Sequence, residues 1–425
     1  MNTRLVPAPT ETRGIADPAA RRVAFALLER VAHGELVIEE AGAARRFGRV
    51  SGDHAPVHVA VRSPHAYALA LRGSTGLARG YVDQLWDCDD PAALVHLLAA
   101  NMGGLDRLRA PLHALSAPVR VARRATRLQT RTRSRRHIGA HYDLGIDLFS
   151  AMLDESMTYS CGVFPDDAAS LADASRTKID MVCTKLGLGP DHRLLEIGGG
   201  WGGLAIHAAS RYGCRVTTTT ISRDQLEVAR ERVARAGLTG RVEVLLEDYR
   251  DLRGRYDRVA SIEMIEAVGR DHLDTYFATA SRLLEPDGAM LLQAIVAPHE
   301  LFEMWSSGGG FANTVIFPGG CLPSIEAMLA SLARSTDMHV GHLEDITAHY
   351  VRTLRCWRER FVAHEAELAA GGYDARFRRM WTFYLAYCEG AFAARRIGDV
   401  QVLLAKPRHR AVCVPVRPPY PRWAC

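Results

Sequence analysis

The stretch LLEIGGGWGGLAIHAA, residues 194–209, decides the fold. An apolar run ends in three consecutive glycines and passes at once into a helix-forming segment. Glycine lets the chain turn sharply and lets a ligand come close to main-chain atoms. Gly198, Gly200 and Gly203 have the G-x-G-x-x-G spacing of a dinucleotide loop, a weak signal by itself. A nicotinamide enzyme places an acidic residue at the end of the next strand to hold a ribose. Here that strand reads RVTTTTIS, residues 215–222, without an acid, so hydride chemistry is disfavoured.

Outward from the loop, strand and helix patterns alternate from about residue 137, as in a parallel α/β sheet. The expected strands are Arg193–Ile197, Arg215–Thr220, Val242–Leu246, Arg258–Ser261 and Ala289–Ile295. A helical stretch from Ser324 to Ile397 is broken by a strand near Met338–His342, and a last strand lies near Gln401–Ala405. Residues 1–115 read as a small α+β domain. It has a helix around Ala19–Val31, an alternating strand at Val57–Val61, a glycine turn at Gly73–Gly80 and a helix over Pro91–Asn101. Residues 116–136 form a basic linker carrying Arg120, Arg123, Arg124, Arg127, Arg131, Arg133, Arg135 and Arg136 and no acid. Such a run is a solvated connector or a patch for anionic lipid headgroups, each basic residue contributing about 1 kcal/mol. No aromatic residue lies in it to stack bases, so no nucleic-acid partner is expected. The catalytic domain is then expected to span 137–425.

The bulk numbers agree with two ordinary globular domains: 425 residues, 48% hydrophobic, 24% charged, net charge +5. The nine cysteines are scattered, without the close pairs of zinc or disulfide-exchange sites, and read as reduced thiols of a cytosolic protein. No metal is expected. The first residues contain no apolar run, so no signal peptide is expected. No stretch approaches the ~20 apolar residues that span a bilayer. An enzyme of this composition that acts on lipid would work from the cytoplasm, at the inner face of the cell membrane.

The loop resembles that of class I methyltransferases, with Glu196 ending the first strand. That loop passes beside the methionine part of S-adenosylmethionine, and Asp248 and Tyr249, after the third strand, stand where this fold meets the adenine. Further segments resemble the cyclopropane-fatty-acyl-phospholipid synthases and their branched-chain relatives. They are HYDLGIDLFSAMLDESMTYSCGVF (141–164), TTISRDQ (219–225), SIEMIEAVG (261–269), IFPGGCLPS (316–324) and FRRMWTFYLAYCEGAFAARRIGDVQVLL (377–404). GYVDQLWDCDD (80–90) is similar to the N-terminal domain of the long, phospholipid-acting members.

The resemblance implies a Rossmann-like class I methyltransferase sheet with a helical lipid-binding cap, and methyl transfer to an alkene in a phospholipid acyl chain. A carbocation results, and proton loss gives a methylene branch or a cyclopropane. It implies cofactor contacts from Tyr142, Tyr159, Ser160, Glu196, Gly198, Gly200, Thr220, Ser222, Gln225, Asp248 and Tyr249. It also implies a bicarbonate base held by Cys161, Glu266, Gln293, Ile295 and Tyr350. Position 293 departs from the bacterial pattern, where histidine is usual, and Ala267 stands where many members have a second histidine. The Gln293 amide can still donate to an anion. Residues 299–315, with Gly308–Gly310, read as a mobile flap, and a homodimer and a reductase partner are left open.

Each residue also has a plainer role. Cys161 could be a buried thiol, Glu266 a helix brace, Tyr350 a packed aromatic, and the aromatic run of 377–392 core or acyl-tunnel wall. Two competing functions are a small-molecule O- or N-methyltransferase and a non-catalytic lipid-binding relative. The first needs no anion cradle, and the second is disfavoured by the intact glycine loop.

Overall fold

The computed structural model describes residues 17–50, 55–102, 144–305 and 310–410. The chain forms two compact units. The first comprises Met1–Thr126, Ser307–Pro318 and Leu354–Arg396, and the second Arg127–Ser306, Gly319–Thr353 and Ile397–Cys425.

In the first unit, strands β1 (Gly34–Glu40), β2 (Ala43–Arg49), β3 (Val57–Val61) and β4 (Trp86–Cys88) form a sheet of order β2-β1-β3-β4. Helices α1 (Asp17–Leu28), α2 (His65–Ala70), α3 (Ser74–Val82) and α4 (Pro91–Ala100) accompany it. Asp90 caps α4, accepting from the amides of Ala92 and Ala93, and Pro91 occupies the first turn, where no N–H is needed. The expected glycine turn at 73–80 is instead the helix α3. Its glycines serve close packing: a Cβ on Gly76 would stand 1.9 Å from the Leu69 carbonyl, and one on Gly80 2.8 Å from Trp86 Nε1.

The contiguous partition at 115 and 137 also differs from the structure. The long helix later in the chain (Ala375–Ala393) belongs to the first unit, where it packs on α3 and α4. Gly390 makes this approach feasible, since a Cβ there would lie 2.6 Å from the Ala92 carbonyl. Phe383 joins Tyr81 and Trp86 in an aromatic cluster at 5.3 and 6.1 Å. Buried Glu389 on this helix pairs with Arg355 and Arg358. The aromatic run of 377–392 is therefore largely core of this unit.

The second unit holds a seven-stranded sheet of order β10-β11-β9-β8-β5-β6-β7. Its strands are β5 (Arg193–Ile197), β6 (Arg215–Thr220), β7 (Val242–Leu246), β8 (Tyr256–Ile262), β9 (Leu284–Val296), β10 (His339–Asp345) and β11 (Gly398–Ala405). β9 through β7 run parallel, and β11 inserts antiparallel between β9 and β10. Expected strands 193–197, 215–220 and 242–246 coincide with the observed ones, and the others are shorter than their counterparts. Two apolar layers cover the sheet. Leu194, Val216, Val244 and Ala205 pack on one side, Leu195, Val259, Leu292 and Tyr276 on the other.

The helices of this unit are α5 (Ile146–Met152), α6 (Leu171–Lys185), α7 (Gly203–Tyr212), α8 (Arg223–Arg235), α9 (Leu273–Leu283), α10 (His299–Trp305), α11 (Ile325–Ser335) and the start of α12 (Thr347–Ala363). Ser170 and Asp173 form a capping box at α6. Of the expected flap, 299–305 is helical and 312–316 a short π-helix, while Gly308 and Gly309 lie outside the described residues. The arginine run and Tyr142 also lie outside them. Among the described residues no helix is long and apolar enough to cross a membrane.

Candidate active site

In an open parallel sheet the crevice lies beyond the carboxyl ends of the strands, where the strand order reverses. Here that point falls between β5 and β8. The glycine loop leaves β5 with Gly198, Gly200 and Gly202 at φ of 85°, 53° and 85°. Gly199 has no room for a side chain, since a Cβ would stand 1.8 Å from Thr218 Oγ1. Beside Gly200, by contrast, the Cβ position is open for 4 Å, which leaves a ligand access to the main chain.

Glu196 lies behind this loop. Thr218 Oγ1 donates to Glu196 Oε2 at 2.6 Å, and burial pushes the carboxyl up to about 7. Its position is that of a brace under the glycines. Thr220, Ser222 and Gln225 knit the next turn: Thr220 Oγ1 donates to Gln225 Oε1 at 2.7 Å, and Ser222 Oγ accepts from the Gln225 amide. Asp248 accepts two hydrogen bonds from the Arg250 guanidinium at 2.8 and 2.6 Å, and Tyr249 packs edge-on against Tyr276. Tyr159 packs against Phe149, and Ser160 Oγ accepts from Lys178 Nζ at 2.9 Å. Arg232 ties these pieces together, donating to the carbonyls of Trp201, Glu155 and Ser156. Sequence reasoning missed Arg232, which has no motif of its own.

The residues at the far side of the crevice converge on one group that sequence reasoning also missed. Glu263 follows β8, at φ 50°, and is half-buried. The Cys161 amide donates to Oε1 at 2.8 Å, Gln293 Nε2 to Oε1 at 2.7 Å, and the Tyr350 hydroxyl to Oε2 at 2.6 Å. Gln293 is wholly buried and also donates to Asp399 Oδ2 at 3.0 Å, while its own oxygen accepts from Gln401 Nε2. Glu266 Oε1 accepts from the Ile295 amide at 2.6 Å, and its Oε2 is buried without a hydrogen-bond partner among the described residues. The structure thus brings Cys161, Gln293, Tyr350 and, through Ile295, Glu266 into one neighbourhood. The signal for Glu263 was an acid closing the apolar strand RVASIE (258–263), a costly placement unless partners await it.

Burial sets the electrostatics. It pushes the carboxyl of Glu266 up to about 8, helped by the charge of Glu263. It raises Asp399 well above the carboxylate range, again with Glu263 and Glu266 adding to it. Burial raises the Glu263 carboxyl too, opposed by the hydrogen bonds from Tyr350, the Cys161 amide and Gln293 and by the charge of Lys178. Buried Lys178, its ammonium disfavoured by desolvation, faces Glu263, Cys161, Glu196 and Asp399. The Cys161 thiol is driven far up by burial and is no nucleophile.

S-adenosylmethionine fits the open backbone at Gly200 and the turns beyond β5, β6 and β7. Bicarbonate does not fit the cradle expected for it. The Cys161, Gln293 and Tyr350 donors already serve the Glu263 carboxylate, so the expected anion site is corrected to one filled by the chain itself.

Strand order, glycine loop and turns at the switch point define a class I S-adenosylmethionine-dependent methyltransferase. Within that class the chain belongs to the mycolic acid cyclopropane synthetase family, whose model matches residues 129–402. It is similar to the tuberculostearic acid methyltransferase UfaA1 of Mycobacterium tuberculosis, 38% identical over 391 residues, covering 85% of this chain and 91% of that protein. It is equally similar to the cyclopropane-fatty-acyl-phospholipid synthase of Escherichia coli, 39% identical over 370 residues with the same coverage. Among solved structures it resembles the mycolic acid cyclopropane synthase CmaA1 complexed with SAH and CTAB. The TM-score is 0.60 at 31% identity, over 66% of this chain and 99% of that one.

Proposed function

We propose that this enzyme transfers the methyl group of S-adenosylmethionine to the double bond of an unsaturated phospholipid acyl chain. The observation that carries the reading is a half-buried carboxylate, Glu263, with three donors on it beside the cofactor loop. An alkene is a poor nucleophile, and the carbocation formed on the acyl chain reacts with any water that reaches it. The names of the two relatives above support the substrate class.

The cofactor supplies an electrophilic methyl. This chain's residues exclude water, hold an anion against the reacting carbons and accept a proton. Loss of a methyl proton directly towards the cationic carbon closes a ring, whereas a hydride shift from the methylated carbon to the cation, followed by loss of a methyl proton, leaves a methylene branch. We favour the methylene outcome. The arginine run at 117–136 would dock on anionic lipid; replacing its arginines by glutamine is expected to lower co-sedimentation with anionic vesicles several-fold, and unchanged sedimentation would refute the docking role.

The functional test supplies methyl-labelled S-adenosylmethionine and oleoyl phospholipid vesicles, followed by gas chromatography and mass spectrometry of the fatty acids. A labelled chain heavier by one CH₂ is expected. Ready hydrogenation of it marks a methylene branch, and resistance marks a ring. Labelled cofactor bound without a labelled acyl chain would overturn the reading in favour of a small-molecule methyltransferase.

A further inference from the structure

The donor set around Glu263 can hold one anion. Cys161 N and Gln293 Nε2 converge on Oε1, and Tyr350 OH on Oε2, at 2.8, 2.7 and 2.6 Å. Bicarbonate and a side-chain carboxylate present the same planar pair of acceptor oxygens, so they compete for these three hydrogens. Gln293 is committed to this arrangement. Its oxygen is taken by Gln401, which aims the amide hydrogens at Glu263 and Asp399. An amide nitrogen can only donate, so the position is matched to carboxylates already in place.

Resting on the function proposed above, we propose that Glu263 is the resident anion of this enzyme. It replaces bicarbonate and accepts the proton that the alkylated acyl chain releases. The electron count closes. The C–S bond breaks with its pair left on sulfur, giving S-adenosylhomocysteine, and the alkene π pair forms the new C–C bond, leaving a cation on the neighbouring carbon. Either a C–H bond of the new methyl gives its pair to the ring-closing bond, or a hydride first shifts from the methylated carbon to the cation and a methyl C–H bond then gives its pair to the methylene double bond. The proton passes to the Glu263 carboxylate, which becomes a carboxylic acid and discharges to solvent before the next turnover. Of the three clustered acids, Glu263 is the one with hydrogen-bond donors on both carboxylate oxygens, whereas Glu266 Oε2 and Asp399 Oδ1 accept from no donor among the described residues.

The test compares the full-length protein with Glu263→Gly and Glu263→Gln in carbon-dioxide-free buffer, with and without added bicarbonate. The φ of 50° at this position favours glycine, so the first variant relieves the backbone and opens the anion space. The wild type is expected to turn over at one rate in both buffers. Glu263→Gly is expected to lose about 100-fold or more without bicarbonate and to recover at least about 10-fold with it. Glu263→Gln fills the space without the charge, and is expected to lose a similar factor with no recovery. Independently of turnover, the ¹³C resonance of labelled bicarbonate is expected to broaden on adding Glu263→Gly and to stay sharp with the wild type.

A wild-type rate that rises with bicarbonate, broadening by the wild type, or a Glu263→Gly variant at full rate without bicarbonate overturns the proposal. Should Glu263→Gly fail to fold, the wild-type and glutamine arms still decide. Absence of turnover in every protein would sink the functional reading, while the ¹³C comparison would still report which anion fills the site.

Discussion

At the scale of single residues, the buried acids carry the sharpest expectations. Glu266 is anchored by the Ile295 amide, and its second oxygen has no hydrogen-bond partner among the described residues. Glu266→Gln is expected to reduce turnover to below about one-hundredth while leaving S-adenosylmethionine affinity within about threefold, read by labelled-product formation and calorimetry. Wild-type activity in that variant would show that the Glu266 carboxyl takes no part in the site. Stability should report the same group. The folded pKa of Glu266 stands at about 8 against an ordinary value of 4.5, and that of Glu196 at about 7. A raised folded pKa means the folded state keeps a proton that the unfolded chain gives up. The contribution is complete below the ordinary value and is lost as pH rises through the folded one. The melting temperature is therefore expected to fall between about pH 5 and pH 8, and Glu266→Gln to flatten that fall. A wild-type melting temperature constant over this window would contradict the assignment.

Among the elements, the contact between α4 and the long helix, here α14 (Ala375–Ala393) once the short α13 (Glu365–Ala370) is counted, has no slack. A Cβ on Gly390 would lie 2.6 Å from the Ala92 carbonyl, 2.7 Å from the His96 amide and 2.7 Å from Val95 Cβ. Backbone cannot retreat as a flexible side chain does. Gly390→Ala is expected to cost about 1–3 kcal/mol in chemical denaturation, despite the better helix propensity of alanine. An unchanged or raised midpoint would show that the helices separate without penalty. The glycines of α3 teach a related lesson. In sequence, Gly73, Gly76 and Gly80 look like a turn, because glycine disfavours helix interiors. In the structure two of them are absent side chains that let Leu69 and Trp86 come close. Propensity lost to packing there.

For the whole molecule, the division into units cuts across the chain order. Residues 354–396 complete the core of the unit that holds residues 17–102, with Trp381 and Phe383 fully buried. Removing residues 1–115 strips α3 and α4 from α14 and uncovers that aromatic face. A fragment of residues 137–425 is expected to aggregate or bind a hydrophobic dye strongly, seen by size-exclusion chromatography and dye fluorescence. A monodisperse, cofactor-binding fragment would show that α14 finds other cover.

The parallel sheet, the cofactor loop and the limits of β3, β5, β6 and β7 were legible in the sequence. They rest on local patterns: apolar runs of strand length, and glycines between a strand and a helix. The motif residues Cys161, Gln293, Tyr350 and Glu266 were legible by resemblance, and the structure brings them together. What only the tertiary structure decided is the identity of the group they surround, and the ownership of α14. Glu263, Asp399 and Lys178 lie far apart in the chain and meet because β8, β11 and α6 come together around one buried point. A buried charge is defined by partners that long-range folding delivers, and no window of neighbouring residues contains that information.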